Sequence, residues 1–164
     1  MPRESLEKLY LHELKDLYDA ENQILQALPK MASKAEHPEL RAAFEEHERA
    51  TRKQVERLDK IFNDIGESAG RHTCKGMKGL VAEGEEVMKE FHDTDVRDAA
   101  MIAAAQRVEH YEIAAYGCAR TYANLLGHVQ HVDLLQQALD EEGKTDHKLT
   151  ALAENVVNLD AMKV

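Results

Sequence analysis

Residues 102–113 read IAAAQRVEHYEI, and this stretch places acidic side chains at helical spacing inside an apolar seam. Glu109 lies seven residues after Ile102 and four residues before Ile113, so in an α-helix these three side chains share one face. Glu112 lies almost one turn further along. Because the stretch contains neither glycine nor proline, it predicts part of a long helix that carries carboxylates on its buried side.

The composition of the whole chain agrees with long helices. Among 164 residues there are only three prolines and eight glycines, which is too few for a turn-rich β architecture. Hydrophobic residues make up 43% and charged residues 32%, a balance typical of a globular protein. The length suits one domain, and we expect residues 1–164 to form it.

Apolar residues at helical spacing divide the chain into five segments. They are segment A from about Ser5 to Ala35, segment B from Pro38 to about Ile65, segment C from about Lys75 to Phe91, segment D from about Val96 to Leu126, and segment E from about His128 to Asn158. The A–B and D–E connections are short, so each of these pairs is expected to form an antiparallel hairpin. Segment C fills the long connection between B and D. The sequence thus predicts an all-α fold, a ferritin-like four-helix bundle with a short crossover helix.

The other three long segments also place polar side chains in their apolar seams. In segment A, Glu21 lies three residues before Ile24, and in segment B, His47 lies three residues after Phe44. In segment E, the acids in the seam are Glu142 and Asp146. Counted from the hairpin turns, these groups fall at similar heights in the bundle, so we expect them to share a layer.

Buried carboxylates need a partner, because burying one unpaired charge costs several kcal/mol and clustering adds repulsion. The partner is a divalent metal ion, a buried Arg or Lys, or a set of shared protons. Carboxylates with one imidazole form an oxygen-rich site that suits iron or manganese, bound as one ion or as a pair. The alternative is that each acid lies at the edge of its seam and reaches solvent along its own stem.

Several motifs resemble the YciE/YciF-like bacterial stress proteins over nearly the whole chain. The most specific is Glu109-His110-Tyr111-Glu112-Ile113-Ala114, and the others are Tyr18-Asp-Ala-Glu21, His47-x-x-x-Thr51, Arg97-Asp98-Ala99-Ala100-Met101 and Glu141-Glu142-x-x-Thr145-Asp146. The resemblance implies a ferritin-like fold, usually dimeric, and a role in a bacterial stress response. It implies no settled reaction, so whether the chain is an enzyme stays open here.

The chain departs from the ligand pattern of di-iron bundles, which carry Glu-x-x-His on two helices. Ala50 follows His47 by three residues, and Thr145 follows Glu142 by three, so neither helix has this motif in register. The metal ligands that we predict are Glu21, His47, Glu109, Glu112, Glu142 and Asp146. Iron oxidation and peroxide disposal are the reactions that such a centre would allow. The alternative function is a structural or interaction protein that has lost its metal chemistry.

Charge and hydropathy limit the partners. The net charge of −10 argues against a nucleic-acid binder, and no apolar run reaches the roughly 18 residues that span a membrane. The N-terminus lacks the pattern of a signal peptide, so we expect a cytoplasmic protein that forms a homodimer through exposed apolar residues. His128 and His131 are interpreted as solvated histidines. The tyrosines near the predicted site, Tyr18, Tyr111 and Tyr116, are either core residues or hydrogen-bond partners of the ligands.

Overall fold

The structure, a computed structural model, describes residues 5–163. Its helices are α1 (Leu6–Lys34), α2 (Pro38–Ile65), α3 (Lys75–Glu90), α4 (Thr94–Leu125), α5 (Val129–Leu152) and α6 (Asn158–Ala161), with a π-helical turn at Ala153–Val157 between the last two. The described part of the chain contains no β-strand. None of the described helices is both long and apolar enough to cross a membrane.

The four long helices form a closed ring. Helix α1 packs against α2 and α4, and α5 packs against the same two helices from the other side. Helix α3 lies outside this ring, against α1 and α4. The predicted ferritin-like bundle with a crossover helix is therefore confirmed.

The helix ends agree with the sequence pattern, with two differences. Ser5 caps α1 by accepting a hydrogen bond from the backbone N–H of Lys8. Helix α4 begins at Thr94, two residues before the predicted start of segment D, because the carboxylate of Asp93 caps it by accepting the N–H groups of Asp95 and Val96. Segment E does not stay α-helical to Asn158, since the regular pattern ends at Leu152 and a π-helical turn follows.

The carboxylate of Asp98 fixes the turn between α1 and α2 against α4. It is fully buried and accepts hydrogen bonds from the backbone N–H groups of Glu36 and His37. It also lies 2.8 Å from Nδ1 of His37, whose Nε2 lies 3.0 Å from Asp160. Hydrogen bonds to Asp160 and Asp98 raise the pKa of His37. This buried contact sets the height of the first hairpin relative to the second.

The apolar core has two parts, which lie toward opposite ends of the bundle. One contains Ile24, Phe44, Ile102 and Leu149, and the other contains Leu17, Leu58, Tyr116 and Leu135. On α2, α4 and α5, buried polar residues lie between the contributions to the two parts, and on α1 the buried Glu21 follows Ala20, close to the boundary between them. These residues thus form a layer across the middle of the bundle.

Candidate metal centre

Four side chains meet in this layer, namely His47 from α2, Glu109 and Glu112 from α4, and Glu142 from α5. One ligand atom of each lies within 4.8 Å of those of the other three. Nδ1 of His47 is 3.1 Å from Oε1 of Glu109, and Nε2 of His47 is 3.8 Å from Glu142 and 3.9 Å from Glu112. All four residues are buried. The idea that these acids reach solvent along their stems is therefore wrong for the three glutamates.

Glu21 brings the fourth long helix, α1, to the edge of this group. Its side chain is fully buried, and its Oε1 accepts a hydrogen bond of 2.5 Å from the phenol of Tyr116. Burial raises the pKa of Glu21 and of Glu112, and the charge of Glu142 raises both further, so Glu21 interacts with the acids of the group. We call these five residues, Glu21, His47, Glu109, Glu112 and Glu142, the central cluster.

Asp146, the sixth predicted ligand, lies beside the central cluster and has other partners. Its carboxylate accepts a hydrogen bond of 3.2 Å from the amide of Gln106 and lies 3.2 Å from Nε2 of His110. The Asp146 side chain is 16% exposed, whereas those of Glu109 and Glu112 are fully buried. The structure thus brings five of the predicted residues into the buried layer and places Asp146 on its outer side.

The central cluster contains many buried polar atoms without a hydrogen-bond partner in the described part of the chain. They are both carboxylate oxygens of Glu109, Glu112 and Glu142, Oε2 of Glu21 and Nε2 of His47. Such atoms are rare in folded proteins, because each costs about 1–3 kcal/mol and more when it is charged. No lysine or arginine among residues 5–163 is buried, so no basic side chain in the core neutralises these acids. The donor set is therefore the kind that a divalent cation satisfies.

The electrostatics of the cluster favour protonated acids when no cation is present. Burial raises the pKa of Glu109 and Glu112 well above the ordinary value, and the charge of Glu142 raises both further. Burial and the charge of Glu142 raise the pKa of Glu21 to about 8. Burial lowers the pKa of His47, which keeps its imidazole neutral and able to bind a metal. An added positive charge would stabilise the negative form of Glu21, Glu109 and Glu112.

A pocket lies beside the two positions at which this chain departs from the Glu-x-x-His pattern. Ala50 and Thr145 line a polar pocket of about 140 Å³ between α2 and α5, and this pocket reaches His47. The hydroxyl of Thr145 donates to the backbone carbonyl of Glu141, 3.0 Å away. Lys144 and Lys148 line the same pocket. The central cluster is thus approached by a polar pocket on this face.

The tyrosines separate into two roles that the sequence left open. Tyr116 is the hydrogen-bond partner of Glu21. The phenol of Tyr111 donates to Asp16 at 2.5 Å and lies 3.0 Å from the sulfur of Cys74, and these contacts hold α4 to α1 and to the start of α3. Tyr18 packs edge-on against Phe62.

His131 is not solvated, contrary to the interpretation from the sequence. It is 2% exposed, its Nδ1 lies 3.1 Å from the phenol oxygen of Tyr10, and its Nε2 lies 2.6 Å from Asp64. These partners belong to α1 and α2, so the spacing of residues within α5 could not predict that His131 is buried. The contacts fasten the far end of the bundle, away from the central cluster.

Residues 5–162 match the family described as a domain of unknown function, DUF892. The chain is also similar to the protein YciF of Escherichia coli strain K12, with 43% identity over 159 residues. This alignment covers 96% of each of the two sequences. The similarity therefore includes the central cluster and all the helices around it.

Two solved structures share the fold over most of their length. The crystal structure of the E. coli stress protein YciF matches with a TM-score of 0.91 at 43% identity, covering 95% of this chain and 99% of that one. The YcfI protein of Rhodopseudomonas palustris matches with a TM-score of 0.88 at 41% identity, covering 92% and 97%. The sequence resemblance to the YciE/YciF-like stress proteins is confirmed.

Proposed function

The chain belongs to the DUF892 family of YciF-like stress proteins, and we propose that its central cluster binds one or two iron or manganese ions in a bacterial stress response. One observation carries the proposal. Three buried carboxylates and one imidazole converge in the core with the carboxylate of Glu21 beside them, and most of their polar atoms have no partner among residues 5–163. A fold does not retain such a group without an interaction that offsets its desolvation.

The oxygen-rich donor set favours iron or manganese over softer ions. Glu21, His47, Glu109, Glu112 and Glu142 would hold the metal, and their four carboxylates would balance the charge of two divalent ions. Asp146 is a further candidate, provided that it leaves Gln106 and His110. When bound, iron or manganese supplies one-electron redox chemistry, which is what iron oxidation or peroxide disposal requires.

The residues around the cluster have roles of their own. The phenol of Tyr116 fixes the rotamer of Glu21, in the way that outer partners orient metal ligands. The two apolar parts of the core, above and below, exclude water from the layer and strengthen its electrostatic interactions.

Thermal unfolding with added metal tests the proposal. We expect Mn²⁺ or anaerobic Fe²⁺ to raise the Tm of metal-stripped protein, since a ligand at 100 times its Kd adds about 2.7 kcal/mol. Glu142→Leu is expected to raise the Tm of metal-free protein, because it removes a buried acid, and to abolish the increase that metal gives. The control is Asp140→Asn, an exposed acid of the same helix outside the predicted ligand set, which should keep that increase. A wild-type Tm that neither metal changes would contradict the proposal.

The second candidate function is a structural or interaction protein that uses the bundle without metal. The absence of Glu-x-x-His from α2 and α5 and the raised pKa values of Glu21, Glu109 and Glu112 favour it, because protonated acids can share hydrogen bonds in place of a cation. It predicts that Glu142→Leu raises the Tm to the same extent with and without metal. The metal titration therefore separates the two candidates.

We also propose that the chain is a cytoplasmic homodimer. Leu125 and Val129, at the turn between α4 and α5, are 68% and 71% exposed. Leu9 is 41% exposed, and it belongs to the same end of the bundle, because its neighbour Tyr10 stacks on His128. A patch of this kind favours self-association. Sedimentation should give a dimer for wild type and a monomer for Leu125→Lys with Val129→Lys, and a monomeric wild type would contradict the proposal.

A further inference from the structure

A second, apolar cavity reaches the central cluster from the side opposite to the polar pocket. It has a volume of about 30 Å³ and lies between α1, α3 and α4. Its walls include Ile24, Leu28, Val81, Gly84 and Val108, and its lining also includes His47 and Glu109 of the cluster. The cavity thus joins the buried acids to the space under the crossover helix.

Several of the side chains that line this cavity are flexible or weakly held. Lys30 and Glu85, both exposed, line it and form an ion pair with 3.2 Å between Nζ and Oε1. Exposed pairs of this kind hold weakly in water. Met31 and Met88 also line the cavity, and methionine changes rotamer readily. A small molecule could therefore pass without unfolding the bundle.

The volume and the lining of the cavity limit the kind of ligand that it can bind. About 30 Å³ holds a molecule of a few atoms and excludes ligands of drug or lipid size. A water molecule needs two to four polar partners, which the aliphatic walls do not offer. Water and ions can instead approach the cluster through the polar pocket between α2 and α5, which Lys144 and Lys148 line. The apolar cavity therefore suits a small apolar molecule.

We propose that this cavity is the passage by which a small apolar molecule of the size of dioxygen reaches the central cluster, and that α3 is its cover. The proposal rests on the metal centre proposed above, which would react with that molecule. Gly84 is the residue of α3 that keeps the passage open. A Cβ added there would lie 3.8 Å from Cβ of Ala104, so alanine fits and a longer side chain must extend into the cavity.

Xenon tests the passage directly, because it binds dry apolar cavities. In crystals of wild type under xenon pressure, we expect a xenon atom between Ile24 and Val108. Gly84→Met should lose it. The matched control is Gly79→Met in the same helix, where an added Cβ meets no atom within 4 Å, and it should keep the xenon. A wild-type cavity without xenon, or a Gly84→Met variant with undiminished xenon, would overturn the proposal.

A variant that widens the cavity covers the case in which Gly84→Met fails to fold. Val81→Ala removes two methyl groups from the wall and should increase xenon occupancy, whereas unchanged occupancy would count against the passage. The second readout is the oxidation of Fe²⁺-loaded protein by dioxygen, which should slow in Gly84→Met while its affinity for Fe²⁺ stays the same. If the protein binds metal but no xenon, the proposed passage is wrong and the proposed metal centre is unaffected. Protein that binds xenon but no metal overturns the proposed function, and with it the delivery to a metal.

Discussion

The phenol of Tyr116 donates a hydrogen bond of 2.5 Å to Oε1 of Glu21, and this contact joins α4 to α1 inside the acidic layer. Both side chains are buried. Burial and the charge of Glu21 raise the pKa of Tyr116 well above its ordinary value, so the phenol keeps its proton and remains a donor. The contact satisfies one oxygen of Glu21 and leaves the other without a partner in the described chain.

Removing this donor should weaken the fold. In Tyr116→Phe, both oxygens of Glu21 are buried without a partner, and we expect a loss of about 1–3 kcal/mol in the free energy of unfolding. Tyr122→Phe is the control in the same helix, because Tyr122 is only half-buried and should change stability little. Urea denaturation of metal-free protein measures the free energy of unfolding of both variants. Equal effects of the two variants would show that the contact with Glu21 contributes nothing.

The stability of metal-free protein should fall as the pH rises. The pKa of Glu21 is raised from 4.5 to about 8, so between these values the folded state binds more protons than the unfolded state. Its contribution is complete below about pH 4.5 and is lost as the pH passes about 8. His47 acts in the opposite direction, because its lowered pKa adds stability as the pH rises through the ordinary histidine value.

Urea denaturation between about pH 7 and about pH 9 lies above the range in which His47 acts. His37, whose pKa is raised, loses stability in the same direction as Glu21, so a comparison of wild type with a Glu21 variant isolates the acid. Glu21→Gln should be less sensitive to pH than wild type over this range. Metal-loaded protein should also lose less stability, because the cation replaces the protons. A metal-free protein that gains stability over this interval would contradict the burial of ionisable acids in the core.

Asp98 should be among the least replaceable residues outside the central cluster. Asp98→Ala leaves the N–H groups of Glu36 and His37 without their acceptor and removes the buried partner of the His37 ring, so we expect a loss of about 3 kcal/mol or more. Asp95→Ala is the control, since Asp95 is 34% exposed and 3.8 Å from His37. Its effect should stay below about 1 kcal/mol. Thermal and urea unfolding distinguish the two variants.

Gly76 and Gly79 should respond in opposite ways to alanine, although both lie in α3. A Cβ at Gly76 would lie 2.7 Å from Cε2 of Tyr111, and the phenol of this tyrosine is held by Asp16, so Gly76→Ala should cost about 1–3 kcal/mol. At Gly79 an added Cβ meets no atom, and alanine should add up to about 1 kcal/mol through helix propensity. Equal effects in urea denaturation would mean that α3 does not pack on Tyr111 as described.

The helical period explains why the acidic layer could be predicted. Glu21, Glu109 and Glu142 each repeat the spacing of the apolar residues around them, so any bundle that buries those seams also buries the acids. Asp146 has the same spacing, and the period alone cannot separate it from Glu142. Its orientation depends on Gln106, which belongs to the neighbouring helix.

Contacts between distant segments were beyond the sequence. His131 is buried because Tyr10 and Asp64 meet it from two other helices, and its own neighbours in the chain give no sign of this. The same holds for the two cavities, since each is formed by side chains of different helices and depends on how closely those helices pack.

The proposed metal centre is tested by elemental analysis of untagged protein, purified without chelator and scored per chain. We expect one or two iron or manganese ions per chain in wild type and their loss in a Glu109→Ala, Glu112→Ala double variant that still folds. Wild-type protein that contains neither metal, takes up neither when it is added, and shows no change in Tm would contradict it.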